Sequence, residues 1–220
     1  MAFIPLTGTK GSGSAAFTTP GIDTTGADFI LALQAIADGY NVTPTDSKGN
    51  TWVQVANSYT RTNVRVRVWK CIPTSVGTGH TFTAPDNGGL NPPFGTMFIQ
   101  PFSGALQTTP EDQINGANNF ASTIQPGSIT PSENDCIILS VFGINAAGLP
   151  ISIGSGFTKT QDQEFSSGNY YGGAVAYLIQ TTAAAINPTW TRTNTNGNAC
   201  MQVSFKSAPV VPASGFLAFM

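Results

Sequence analysis

The sequence predicts an all-β protein of the sandwich type, and three observations lead there. Only 9% of residues are charged, where a globular domain carries about 25%. The balance is made up by Thr, Ser, Asn and Gln, with 24 Gly and 15 Pro in 220 residues. That is a composition of short strands and tight turns. Apolar residues also recur with a period of two, most plainly where Val64, Val66 and Val68 alternate with Arg65, Arg67 and Trp69. Such alternation sends each set to one face of a strand and is useless to a helix. A chain of this length fits one large β-domain, with most apolar side chains in a single core.

The elements follow in order. Residues 1–16 join an apolar start, Phe3, Ile4 and Leu6, to a stretch rich in Gly and Ser. They read as an N-terminal arm on a flexible tether. The body runs over 17–207. Strands are predicted over 28–36, 51–55, 63–72, 80–84 and 96–102, with a turn at Asp46-Ser47-Lys48-Gly49-Asn50. Pro92, Pro93, Pro101 and Pro110 punctuate the loops, since proline cannot serve in a central ladder. Further strands are expected over 136–144, 154–160, 173–180, 189–193 and 199–206. Residues 208–220 form an apolar tail broken by Pro209, Pro212 and Gly215.

The chain also echoes itself. The segment from Pro20 to Leu31 resembles that from Pro126 to Leu139, with residues inserted. Asp28 then falls on Asp135, Trp69 on Tyr177, Phe82 on Trp190 and Met97 on Met201, at offsets between 104 and 108. This suggests two half-repeats, about 17–107 and 123–207. Any two amphipathic strand series match to some degree, so the echo stands as one of two readings.

Several function classes find little footing. Net charge is −2, and the basic residues are scattered singly, so no run follows a nucleic-acid backbone. No apolar run approaches the ~18 residues of a membrane span. The N-terminal residues show no basic-then-apolar leader, so synthesis in the cytosol with reduced thiols is the expectation. Cys71, Cys136 and Cys200 are too few and too far apart for a disulfide framework or a zinc site, and they read as small core residues.

Catalysis would rest on very few groups. His80 is the single histidine, it opens a strand, and its counterpart in the echo is Pro188. It reads as a strand-edge imidazole. Glu111 with Asp112, and Asp162 with Glu164, are the carboxylate pairs; the second pair shares a face of a strand, as acid–base work on a glycoside could require. Without a surrounding cluster, solvated charge is the simpler reading. The turn Asp46–Asn50 offers oxygens to a hard cation, but Lys48 sits among them. The expectation is therefore a protein without enzymatic activity, cofactor or metal.

Five stretches resemble a family of phage and prophage proteins. They begin at Ile22-Asp23-Thr24, Asp46-Ser47-Lys48-Gly49-Asn50, Val66-Arg67-Val68-Trp69, Gly77-Thr78-Gly79-His80 and Pro126-Gly127-Ser128. Together they span most of 15–207. The resemblance implies a jelly-roll-like antiparallel β-sandwich with extended terminal arms. It also implies a virion structural role: head decoration, minor capsid or fibre-like component. On that reading the partners are other virion proteins and copies of the chain itself. Phe3, Ile4, Leu6, Val210, Val211, Phe216, Leu217 and Phe219 would supply the assembly contacts of the arms, unless the arms dock on their own body instead. The alternative is a carbohydrate- or receptor-binding module taking a host surface glycan. Its residues would be Asn169, Tyr170 and Tyr171 in a glycine-rich loop, where flat rings and amides suit such ligands. The plain competitor there is a hairpin turn with a tyrosine packed on the sheet.

Overall fold

The computed structural model describes residues 3–41, 43–55, 58–61, 63–86, 94–104, 110–148 and 151–208. Among them there are strands and no helix. In chain order the first nine strands are β1 (Ile4–Pro5), β2 (Thr9–Gly13), β3 (Phe17–Thr18), β4 (Phe29–Ala37), β5 (Thr45–Asp46), β6 (Val53–Gln54), β7 (Tyr59–Arg61), β8 (Val64–Cys71) and β9 (Phe82–Ala84). The other nine are β10 (Gly95–Ser103), β11 (Glu111–Asn119), β12 (Thr123–Ile124), β13 (Cys136–Ile144), β14 (Ser152–Ile153), β15 (Thr158–Ser167), β16 (Asn169–Gln180), β17 (Trp190–Thr191) and β18 (Asn198–Phe205).

All pairings are antiparallel, and the strands form two large and two small sheets. The first large sheet is ordered β1-β10-β4-β8-β6, with β2 also on β10 and β7 also on β8. The second is β11-β18-β13-β16-β15. The small sheets are β3-β9-β5 and β12-β17-β14.

Alternation along the central strands builds three cores from these sheets. Phe29, Leu31, Leu33 and Ala35 of β4 meet Ile137, Leu139 and Val141 of β13 in a central core between the large sheets. Ile30 and Ala32 face the other way, onto Phe82 and Ala84 of a small sheet. Ile138, Phe142 and Ile144 likewise face Ile124 and Trp190 of the other small sheet. The result is four layers: small, large, large, small. Each buried large side chain contributes roughly 1.5–3 kcal/mol relative to exposure. An antiparallel sandwich is what the composition and the period-two pattern predicted, although Pro101 pairs with Ile30 inside β10 rather than punctuating a loop.

Two expectations change. The order β10-β4-β8 recurs as β18-β13-β16, and that of β3-β9-β5 as β12-β17-β14. The residue pairs read from the echo, however, do not all occupy matching faces. Trp69 and Met97 face a small sheet, whereas Tyr177 and Met201 face the central core. A slip of one residue along a strand exchanges its faces, so those pairings are displaced. His80 bridges to Ile22, and in the second half Ile129 bridges to Ile186. Pro188, which the echo sets against His80, takes part in neither bridge.

The N-terminal segment is also no free arm. Residues 4–5 and 9–13 add to β10, and Phe3 lies in the central core against Phe29 and Phe102, at ring-centroid distances of 6.4 and 6.0 Å. A buried phenylalanine and a run of ladder hydrogen bonds outweigh the flexibility of the Gly-rich stretch.

Candidate functional site

Two constellations gather the polar residues singled out in the sequence: a buried one around His80, and an open one at a loop end. The buried one begins with Thr24, whose hydroxyl lies 2.9 Å from Nδ1 of His80. The Nε2 of His80 lies 3.0 Å from Oδ1 of Asp46. Trp52 donates its indole N–H to Oδ2 of Asp46 at 2.7 Å, and the backbone N–H of Lys48 donates to Oδ1 at 2.8 Å. Burial pushes the Asp46 carboxyl upward, but the hydrogen bonds from Trp52, His80 and the Lys48 and Asn50 amides outweigh it and leave the pKa lowered.

The order Thr24, His80, Asp46 copies a hydroxyl–imidazole–carboxylate relay. Access decides what it can do. Thr24 and His80 are 0% exposed, so no substrate atom reaches the hydroxyl. His80 also stacks on Phe82, 4.3 Å between centroids. The network ties three loops together. Thr24 holds Gly77, Asp46 holds its own turn, and Asn50 accepts the amides of Thr74 and Ser75. The Asp46–Asn50 turn thus points its carboxylate at donors rather than at a cation. His80 is a satisfied imidazole just before β9, as its position suggested, and it is fully buried.

The other chemical candidates are similarly engaged. Asp162 pairs with Lys159 at 2.6 Å, whereas Glu164 accepts the Gly148 amide at 2.6 Å. The two carboxylates are engaged by separate partners. Glu111 pairs with Lys70 at 2.6 Å, which links the two large sheets. Asp112 accepts the amide and hydroxyl of Ser132 and the hydroxyl of Ser204. All three cysteines are buried, and burial raises their thiols to about 12, 11 and 12 for Cys71, Cys136 and Cys200. Thiols so placed are inert. Cys200 packs in the core that holds Trp190.

The open constellation lies where β15 turns into β16. Ser167 pairs with Asn169 across Gly168, whose φ of +80° is the left-handed conformation that glycine takes without strain. The turn divides the expected ligand residues. Tyr171 is buried and meets Phe94 at 5.0 Å. Tyr170 is 52% exposed. With Asn169, Asn145 and Asn196 it lines an open recess of about 390 Å³. Tyr171 packs on the body, as the hairpin reading of the loop expects, and Tyr170 faces out.

Sequence reasoning missed what supports this recess. Buried Arg192 donates to the Asn194 side-chain carbonyl and to the Asn196 carbonyl. Asn194 in turn donates to the Ala147 carbonyl. The Asn145 amide donates to the Gly197 carbonyl at 3.1 Å. The run Asn194-Thr195-Asn196-Gly197-Asn198 beside an arginine was the available signal. Its contacts cross some 50 residues and no local pattern announces them.

Among the arm residues, Phe3 is buried in its own body, Leu6 packs partly against a core, and Ile4 is 59% exposed. Val210, Val211, Phe216, Leu217 and Phe219 lie outside the described residues. Compared with known protein families, curated proteins and solved structures, the chain matches none.

Proposed function

We propose that this protein is a non-enzymatic structural component of a bacteriophage particle, of the head-decoration, minor-capsid or fibre-like kind. It would be held there by other virion proteins and by copies of itself. The observation that carries the non-enzymatic part is the fate of the reactive groups. The single histidine has both ring nitrogens engaged and no exposed surface, and the thiols are buried and pushed far above neutrality. The phage context rests on the resemblance across residues 15–207. A charge-poor exterior adds support, because little electrostatic repulsion opposes close packing of copies.

In this reading the body is a rigid block and contacts at its surface do the work. Phe3 is consumed internally, so the N-terminal share of docking falls to exposed Ile4. The C-terminal segment supplies the remainder. Deletion of residues 209–220 is expected to leave the melting temperature of the body unchanged and to remove the protein from purified particles. Mass spectrometry of particles carrying the full-length or shortened chain measures this. Equal occupancy of the two forms would overturn the tail's role, and absence of the full chain from particles would overturn the proposal.

A further inference from the structure

We infer that the recess between Asn145, Asn169, Tyr170 and Asn196 is a binding site for a neutral saccharide. The inference does not depend on the virion reading. Its first support is composition. Three asparagines and a half-exposed tyrosine line the recess, and none of its lining residues carries a charge. Amides both donate and accept, as sugar hydroxyls do. An exposed ring face offers a flat apolar platform for the C–H side of a pyranose. A charged ligand would find no counter-charge on these walls, and a purely apolar one would strip water from the amides without replacing it.

The second support is that the walls are fixed. Three separate segments meet here: residues 145–148, the 167–170 turn, and residues 194–197. Arg192 holds the third from beneath, through the Asn194 side chain and the Asn196 carbonyl. Asn194 ties it to the first segment at the Ala147 carbonyl. Glu164, on the strand leading into the turn, accepts the Gly148 amide at 2.6 Å. A Cβ on Gly148 would lie 2.5 Å from the Asn194 amide nitrogen, so a side chain there would push Asn194 aside. Loops cross-tied in this way lose little freedom when a ligand arrives, which favours affinity in a small open site. The recess volume of about 390 Å³ suits one or two sugar rings, within the ~300–1,000 Å³ range of ligand sites.

The test uses the full chain and a defined panel of free oligosaccharides. The neutral members are cellotriose, maltotriose, lactose and chitotriose; the charged ones are sialyllactose and trigalacturonate. Saturation-transfer NMR at millimolar sugar should show at least one neutral member binding, with Tyr170 protons as the contact. Tyr170→Ala should weaken that binding roughly tenfold or more, and Asn169→Ala several-fold, both with unchanged melting temperature. Asn169→Ala guards against a Tyr170 variant that fails to fold. No binding by any neutral member overturns the inference. So does binding that survives both substitutions, and so does binding confined to the charged sugars.

Discussion

Asp46 shows how much one side chain can organise when its partners come from afar. Its carboxylate takes donors from Trp52, Lys48 and Asn50 and meets the ring of His80. Those bonds lower its pKa from the 3.8 of a free aspartate despite its burial. A carboxyl held lower in the folded than in the unfolded state stabilises the fold above the unfolded value, and that contribution disappears as pH falls through the folded value. The wild-type melting temperature is therefore expected to fall between about pH 5 and pH 2. Asp46→Asn should be less stable near neutrality by about 1–3 kcal/mol, because one acceptor becomes a donor facing donors. It should also show a shallower acid slope, the remainder coming from carboxyls such as Asp112, likewise lowered. Thermal melts across that pH range measure both, and parallel profiles would remove Asp46 from the explanation.

At the scale of the element, two glycines let the two large sheets approach closely. Gly143 and Gly173 are paired neighbours on β13 and β16. A Cβ on Gly173 would lie 2.6 Å from Cβ of Ala35, and one on Gly143 would lie 2.7 Å from Val66. Gly173→Ala is expected to cost roughly 1–3 kcal/mol through overpacking, read from urea unfolding. Adding Ala35→Gly should recover part of that loss, because the two Cβ atoms compete for one space. A double variant whose losses simply add would show that the clash is relieved elsewhere. The outer strands follow a different rule. The edge strand β15 presents Lys159, Asp162 and Glu164, and charged edges discourage pairing with other chains.

For the molecule as a whole, the central core is the decisive layer. It takes β4, β8 and β10 side chains from one half of the sequence and β13, β16 and β18 side chains from the other. Phe29 meets Phe205 at 5.0 Å, and Lys70 reaches Glu111. Each small sheet covers only the outer face of its large sheet, so neither half hides its inner face alone. Residues 1–104 and 110–220, produced separately, are expected to bind a hydrophobic dye and to melt without cooperativity. Mixed, they should recover one cooperative transition. Calorimetry of each piece decides this, since a cooperative melt by either half alone contradicts the dependence.

The sequence by itself determined the class of this protein and the positions of its central strands. Residues 136–144 coincide with β13, and 63–72 contain β8, because a strand buried on one or both faces must carry alternating or continuous apolar residues. Edge strands such as β11, Glu111–Asn119, carry mostly polar residues and gave no such pattern. Periodicity also left open which face of each strand meets which layer, and the echo was displaced by one residue for that reason. Only the tertiary structure joined His80 to Asp46, seated Phe3 between the sheets, and separated Tyr170 from Tyr171. It also placed Arg192 beneath the recess. Strand formation is settled by near neighbours along the chain. Arg192 holds Asn194 and Asn196 from close by, but burial and access at His80, Phe3 and Tyr171 are settled by partners tens of positions away.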